Sequence, residues 1–142
     1  MVRIALASTE AELRRCFPVL VQLRPHLTEA DFLARVQRQQ QQEGFHLAYL
    51  ESDGAVKSLA GYRFGHFLAW GHVLYVDDLV TDELARGHGF GQQLIEWLVA
   101  QAKAQGCEQF HLDSGVQRHG AHRFYLSRGM DITCHHFAMT LK

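Results

Sequence analysis

The chain has 142 residues, 47% of them hydrophobic and 20% charged, and a formal net charge of -1. That length fits one domain, residues 1–142, with a real core. The near-neutral balance argues against nucleic acid as a main partner, because no excess cation is present to neutralise phosphates. No stretch approaches the roughly 20 apolar residues of a membrane span, so no membrane partner is expected.

The elements can be taken in chain order. Val2–Ala7 reads as a short strand. Its apolar run, Ile4 to Ala7, is too short for the core of a signal peptide. Thr9 with Glu12 forms a capping-box pattern that opens a helix to about Val21. Arg24 to Leu27 is a break, and Thr28 with Asp31 opens a second helix to about Gln42, closed by Gly44. Phe45–Ser52 and Ala55–Leu68 are strands joined by a turn with Gly54 at positive φ, the second bent or bulged at Gly61 or Gly65. His72–Val80, rich in β-branched and aromatic residues, is the next strand.

The pattern then changes period. Phe90, Leu94, Ile95, Leu98, Val99 and Ala102 form a helical stripe that ends near Gly106. Glu108–Gly115 reads as a strand, and Gln117–Met130 as a helix closed by Gly129. Ile132–Lys142 is expected to be a final strand. The order is β-α-α-β-β-β-α-β-α-β. The fold class is α/β (α+β), a mixed, mostly antiparallel sheet of six to seven strands flanked by about four helices.

One stretch needs a chemical reason. Arg86-Gly87-His88-Gly89-Phe90-Gly91-Gln92 places three alternating glycines at a helix start, where glycine costs roughly 1 kcal/mol each against alanine. A helix N-terminus carries unpaired N–H groups and partial positive charge. Glycines remove the side chains that would keep a bulky anion away from it, and Arg86 adds a full charge. The combination suits a phosphate or pyrophosphate. The dinucleotide spacing G-x-G-x-x-G is absent, and no Lys-Ser/Thr follows as a P-loop requires.

The stretch instead fits R/Q-x-x-G-x-G/A. It resembles the acetyl-CoA-binding motif of the GNAT superfamily of N-acetyltransferases. "YVDDLVT" is similar to that family's splayed fourth strand, and "AHRFYLSRGM" to its A-x-x-F/L-Y-x-x-x-G-F/M signature. Within the superfamily, "VDDLVT", "DSGVQRHGAHRFYLSRG" and the paired His135 and His136 resemble the small-amine, aminoalkylphosphonate-type enzymes.

The resemblance implies an N-acetyltransferase that uses acetyl-CoA. The pyrophosphate would sit on Arg86, Gly87, His88, Gly89, Phe90, Gly91 and Gln92, with His88 contributing only its backbone. The pantetheine arm would pair as an extra strand with Leu79, Val80 and Thr81. Tyr125 would protonate the leaving thiolate. Asp78 would be the general base or the anchor of the acceptor ammonium, and alternation would send Asp77 to the opposite face. Asp77, a histidine or a water remain open for the base. The family often carries Asn where this chain has Arg118, which would instead reach a CoA phosphate or an anionic acceptor. Arg24 and Arg63 are further candidates for an anionic acceptor.

Ten histidines show no converging set of three or four ligands, so no metal is expected. Cys16, Cys107 and Cys134 are odd in number and read as reduced thiols in a cytoplasmic protein. The expected acceptor is a small primary amine, and a homodimer is expected. A protein or peptide acceptor is the enzymatic alternative. A non-catalytic acyl-CoA-binding module and a nucleotide-binding protein are the rival readings.

Overall fold

The computed structural model describes residues 1–142, which divide into two compact units, Met1–His111 and Leu112–Lys142. The first unit begins with β1 (Val2–Leu6), α1 (Glu10–Leu23) and α2 (Glu29–Gln42). A meander follows, of β2 (His46–Ser52), β3 (Ala55–Phe67) and β4 (Gly71–Thr81), and then α3 (Phe90–Ala104). β5 (Gln109–Leu112) completes a five-stranded sheet of order β1-β2-β3-β4-β5.

Local sequence sets the helix starts. Thr9 Oγ1 accepts from the Glu12 N–H at 3.2 Å, and Glu12 Oε1 accepts from the Thr9 N–H at 3.1 Å. This is the capping box read from the sequence. Thr28 Oγ1 caps α2 by accepting from the Asp31 N–H at 3.1 Å. α1 also contains Pro18, which has no N–H to give the Arg14 carbonyl. The β2–β3 turn puts both Asp53 and Gly54 at positive φ, 54° and 78°, the twist a tight hairpin needs. α3 ends on Gly106 at φ 74°, with Cys107 N–H donating to the Ala102 carbonyl at 2.9 Å.

β1 to β4 pair antiparallel. β5 arrives after the α3 crossover. Its neighbour Glu108 donates its N–H to the His72 carbonyl at 2.7 Å, and His111 stacks on Tyr75. The numbers rise together, so this pairing is parallel and the sheet is mixed, as a helical crossover requires.

Strand alternation sorts the core onto two faces. Phe45, Leu47, Tyr49, Leu59 and Val80 join Leu13, Cys16, Leu20, Phe32 and Val36 under α1 and α2. On the other face, Trp97 of α3 meets Tyr62 edge-on at 6.3 Å. Cys16 is fully buried, and burial pushes its thiol up to about 12.

Two irregularities break the alternation. Leu50 pairs with Ser58 but Glu51 with Val56, so Lys57 is an extra residue on β3. The second lies at the site. Gly61 pairs with Asp78, but Tyr62 pairs with Val76, so Asp77 is an extra residue on β4. The ladder shifts at Gly61, one of the two positions expected, but the extra residue there is on β4, and the bulge in β3 itself falls at Lys57. The β4 bulge also overturns the expectation that Asp77 and Asp78 point to opposite faces. The extra residue shifts the phase by one, and both carboxylates face α1 and α2.

In the second unit, α4 (His119–Ser127) ends as expected on Gly129 at φ 86°, with Met130 N–H donating to the Tyr125 carbonyl at 3.2 Å. The expected final strand is absent. Residues 131–142 form no ladder, and Phe137, Met139 and Leu141 are exposed although they alternate as strand residues should. A strand exists only through a partner's backbone, and no strand pairs with this segment. The sheet therefore has five strands rather than six to seven. β5 also stops at Leu112, short of Gly115.

Glu12 is held down to about 2, chiefly by the Thr9 N–H and then the Ser8 N–H, against an ordinary value of 4.5. A depressed carboxylate stabilises the fold above its unfolded value and loses that contribution as pH falls toward the folded one. The urea midpoint of Glu12→Gln should therefore lie below wild type at neutral pH, and the gap should close between pH 4.5 and 2. A Cβ on Gly61 would lie 2.5 Å from Phe45 Cζ and 2.9 Å from Asp78 Oδ2. Gly61→Ala should cost about 1–3 kcal/mol by urea denaturation, and an unchanged midpoint would show that Phe45 has room to move.

Candidate active site

The turn before α3 is built to leave amides free. Asp82 Oδ1 accepts from the Leu84 N–H at 3.0 Å and turns the chain through Glu83–Ala85. Gln22 of α1 holds that turn on both sides. Its Oε1 accepts from the Glu83 N–H at 2.9 Å, and its Nε2 donates to Asp82 Oδ1 at 3.3 Å. Gly87 and Gly89 then take φ of 86° and 77°, which side chains resist.

Gly89 is the N-cap of α3, and no side chain caps it. The first amides of α3 therefore have no protein side chain to bond. A Cβ built on Gly87 or Gly89 meets nothing within 4 Å, so the space above both glycines is open. Arg86 is exposed and makes no ion pair. His88 folds its ring back to within 3.1 Å of the Ala85 carbonyl, so only its backbone faces the turn. Gln92 spends its side chain on Glu96, donating to Oε1 at 3.1 Å. Open space, uncapped amides and a free guanidinium fit a pyrophosphate.

β4 leads into this turn. Leu79, Val80 and Thr81 pair with Ala60, Leu59 and Ser58 of β3. Ser58 Oγ donates to the Val80 carbonyl at 3.0 Å and lies 3.1 Å from Thr81 Oγ1, which fixes the strand end. β5 starts beside His72 and is four residues long. Within the first unit it flanks only the early part of β4. The later edge, from Asp77 to Thr81, has no strand on that side, and an extended ligand can pair there.

The β4 bulge sets the charged centre. Arg63 Nε donates to both Asp77 carboxylate oxygens, at 3.2 and 3.1 Å, and its terminal nitrogen also bonds Asp77. That nitrogen bonds Gln39 Oε1 at 2.9 Å as well, and the guanidinium lies 5.4 Å from the Phe45 ring centroid. Burial pushes the Asp77 carboxyl up, with Arg63 opposing.

Asp78 is engaged from the other side. Arg24 Nε donates to its Oδ1 at 2.9 Å, and Arg24 also donates to the Asp77 carbonyl at 3.2 Å. Asp78 lines a cavity of about 340 Å³ with Arg24, Gln39, Phe45 and residues of α1 and α2. Asp77 does not line it. Of the two carboxylates, Asp78 is the one a small molecule in the cavity can reach.

Tyr125 and Arg118 lie in the second unit. Tyr125 is buried, and burial pushes its phenol up, with the Arg118 charge and hydrogen bond opposing. The hydroxyl is thus held in its protonated form through neutral pH. His136 Nδ1 lies 3.4 Å from Asp113 Oδ2, and His122 Nε2 lies 2.8 Å from the Gly115 carbonyl.

The first unit gathers Asp78, Leu79 to Thr81 and Arg86 to Gln92 along one continuous path. The sequence named Arg24 as a cation but did not show that it grips Asp78. It did not show Gln39 or Phe45 at the site at all. A glycine facing an aromatic across two strands, Gly61 and Phe45, was the available signal.

The acetyltransferase (GNAT) family model matches residues 6–130, and the match runs through both compact units. A Bacillus subtilis protein described as an uncharacterized N-acetyltransferase is 29% identical over 90% of each chain. An aminoalkylphosphonate N-acetyltransferase of Salmonella typhimurium is 37% identical over 38% of this chain and 35% of its own. The solved structure of an aminoglycoside N-acetyltransferase with CoA has a TM-score of 0.86 at 16% identity. That likeness covers 99% of this chain and 94% of the other. The glycine turn and the family match agree: the chain belongs to the GNAT acetyltransferase family, enzymes whose cosubstrate is acetyl-CoA.

Proposed function

We propose that residues 1–142 act as one domain that moves the acetyl group of acetyl-CoA to the primary amine of a small molecule, by direct attack in a ternary complex. The observation that carries this reading is Asp78, a cavity carboxylate on an open strand edge that runs into uncapped helix amides. Bound acetyl-CoA supplies an activated thioester. Arg86, Gly87, His88, Gly89, Phe90, Gly91 and Gln92 would hold its pyrophosphate, Leu79, Val80 and Thr81 its pantetheine, and Arg118 a phosphate.

The chain's own groups divide the proton work. An amine reaches the enzyme as an ammonium and must lose a proton before it attacks. Asp78 Oδ2, the oxygen that Arg24 does not bond, anchors the ammonium and takes that proton, directly or through a water. Tyr125, kept protonated by burial, supplies the proton that the leaving sulfur takes up. Arg24 and Arg63 hold the two carboxylates in place.

A cavity of about 340 Å³ favours a small acceptor over a peptide. The partial match to an aminoalkylphosphonate enzyme also supports a small amine. We place the enzyme in the cytoplasm as a homodimer. The support is three unpaired thiols and an apolar tail, Phe137, Met139 and Leu141, exposed in the single chain. No helix is long and apolar enough to cross a membrane.

Calorimetric titration should show micromolar binding of acetyl-CoA and none of ATP. Gly89→Ala should weaken acetyl-CoA by roughly tenfold, because a methyl group enters the anion's space on a backbone it disfavours. Preferential ATP binding would assign the turn to a nucleotide instead. Tyr125→Phe should slow kcat by roughly 100-fold while leaving the acetyl-CoA Kd unchanged. In the wild type, the alkaline fall in turnover should begin only above the ordinary tyrosine value of 10.0, because burial raises this phenol. A variant as fast as wild type at every pH would remove Tyr125 from the acid role.

A further inference from the structure

Two guanidinium groups and one carboxylate line the Asp78 cavity. Its walls set Arg24 and Arg35 against a single carboxylate, Asp78. Arg24 is spent on Asp78 and on the Asp77 carbonyl. Arg35, on the exposed side of α2, makes no ion pair and no hydrogen bond within the protein. His26 stands in the turn between α1 and α2. Much of the remaining wall is apolar, including Leu20, Phe32 and Leu47.

An ammonium entering this cavity meets two guanidinium groups and one carboxylate that is already paired. To reach Asp78 it must share or displace Arg24. A displaced Arg24, its side chain 41% exposed, keeps water but loses its anion, and a second anion in the cavity would replace the charge-assisted bond that it gives up. No other carboxylate lines the cavity, so the chain does not supply that anion. A ligand can, if it carries one.

We infer that the acceptor is a small amphoteric molecule, an amine bearing its own carboxylate, phosphonate or phosphate a few bonds away. Its ammonium pairs with Asp78, while Arg24 turns from Asp78 to the ligand's anion and Arg35 closes on the same anion. Of these five charges none is left alone. Planar guanidinium forks suit both carboxylate and phosphate oxygens. Arg24 and Arg35 are thus specificity residues, and Arg35 is the one with no other task. This inference rests on the N-acetyltransferase reading above.

The test compares three primary amines of similar length, β-alanine, aminoethylphosphonate and propylamine, by thiol release at saturating acetyl-CoA. At least one of the two acids should exceed propylamine in kcat/KM by roughly tenfold or more, the size of one charge-assisted contact. The better acid identifies the anion. Arg35→Gln should shrink that ratio toward one by raising KM for the acid, and Arg35→Lys should restore part of it. Propylamine matching both acids, or a ratio that Arg35→Gln leaves intact, would overturn the inference while leaving the enzyme an acetyltransferase.

Calorimetry of the same three amines without acetyl-CoA separates the two readings. If acetyl-CoA does not bind, the acetyltransferase reading fails, and the cavity is still judged. Binding of an acid that Arg35→Gln abolishes supports the amphoteric site. Equal binding of all three, or of none, rejects it.

Discussion

The extra residue in β4 is the constraint on which the site depends. A regular strand would show the helical layer one of two successive carboxylates and turn the other toward α3. The bulge at Asp77 shows it both. Two adjacent carboxylates on one face repel, and they persist because two different elements supply cations. Arg63 comes from the paired strand and Arg24 from the end of α1. Gly61 completes the arrangement by leaving space for the Phe45 ring and for Asp78. The two acids then diverge in role. Asp77 is locked by Arg63, which Gln39 holds in turn, while Asp78 opens onto the cavity.

The same strand connects this charged centre to the anion turn. From Asp78 the chain runs three residues along an unpaired edge, passes the Asp82 turn and reaches the amides of α3. Gln22 bonds that turn two residues before Arg24 reaches Asp78, so one stretch of α1 touches both ends. The α3 start forgoes a side-chain cap worth about 1 kcal/mol and takes left-handed glycines.

Much of this is legible in the sequence. The capping box at Thr9, the hairpin at Gly54, the α3 stripe and the helix stop at Gly129 are local patterns with local causes, and each appears where expected. So does the glycine turn, where Gly87 and Gly89 take left-handed backbone ahead of α3. Side-chain orientation at Asp77 was misread, since a bulge is a property of two strands and period-two counting within one cannot detect it. The final strand was misread for a similar reason. Phe137, Met139 and Leu141 alternate correctly, yet alternation describes a surface and supplies no partner. The Arg24–Asp78 pair joins residues 54 apart in sequence, and its existence depends on where α1 ends over the sheet.

The bulge also determines which changes of length β4 can accept. Deleting any ordinary strand residue flips every side chain on one side of the gap to the opposite face. Asp77 is different, because it has no partner across the ladder. Its removal would return β4 to unbroken alternation, with Val76, Asp78 and Val80 still on their present faces and still opposite Tyr62, Gly61 and Leu59. One carboxylate and the Arg63 pair would vanish, and the register would not move. The strand thus holds a single position where its length can change by one without disturbing the core on either side.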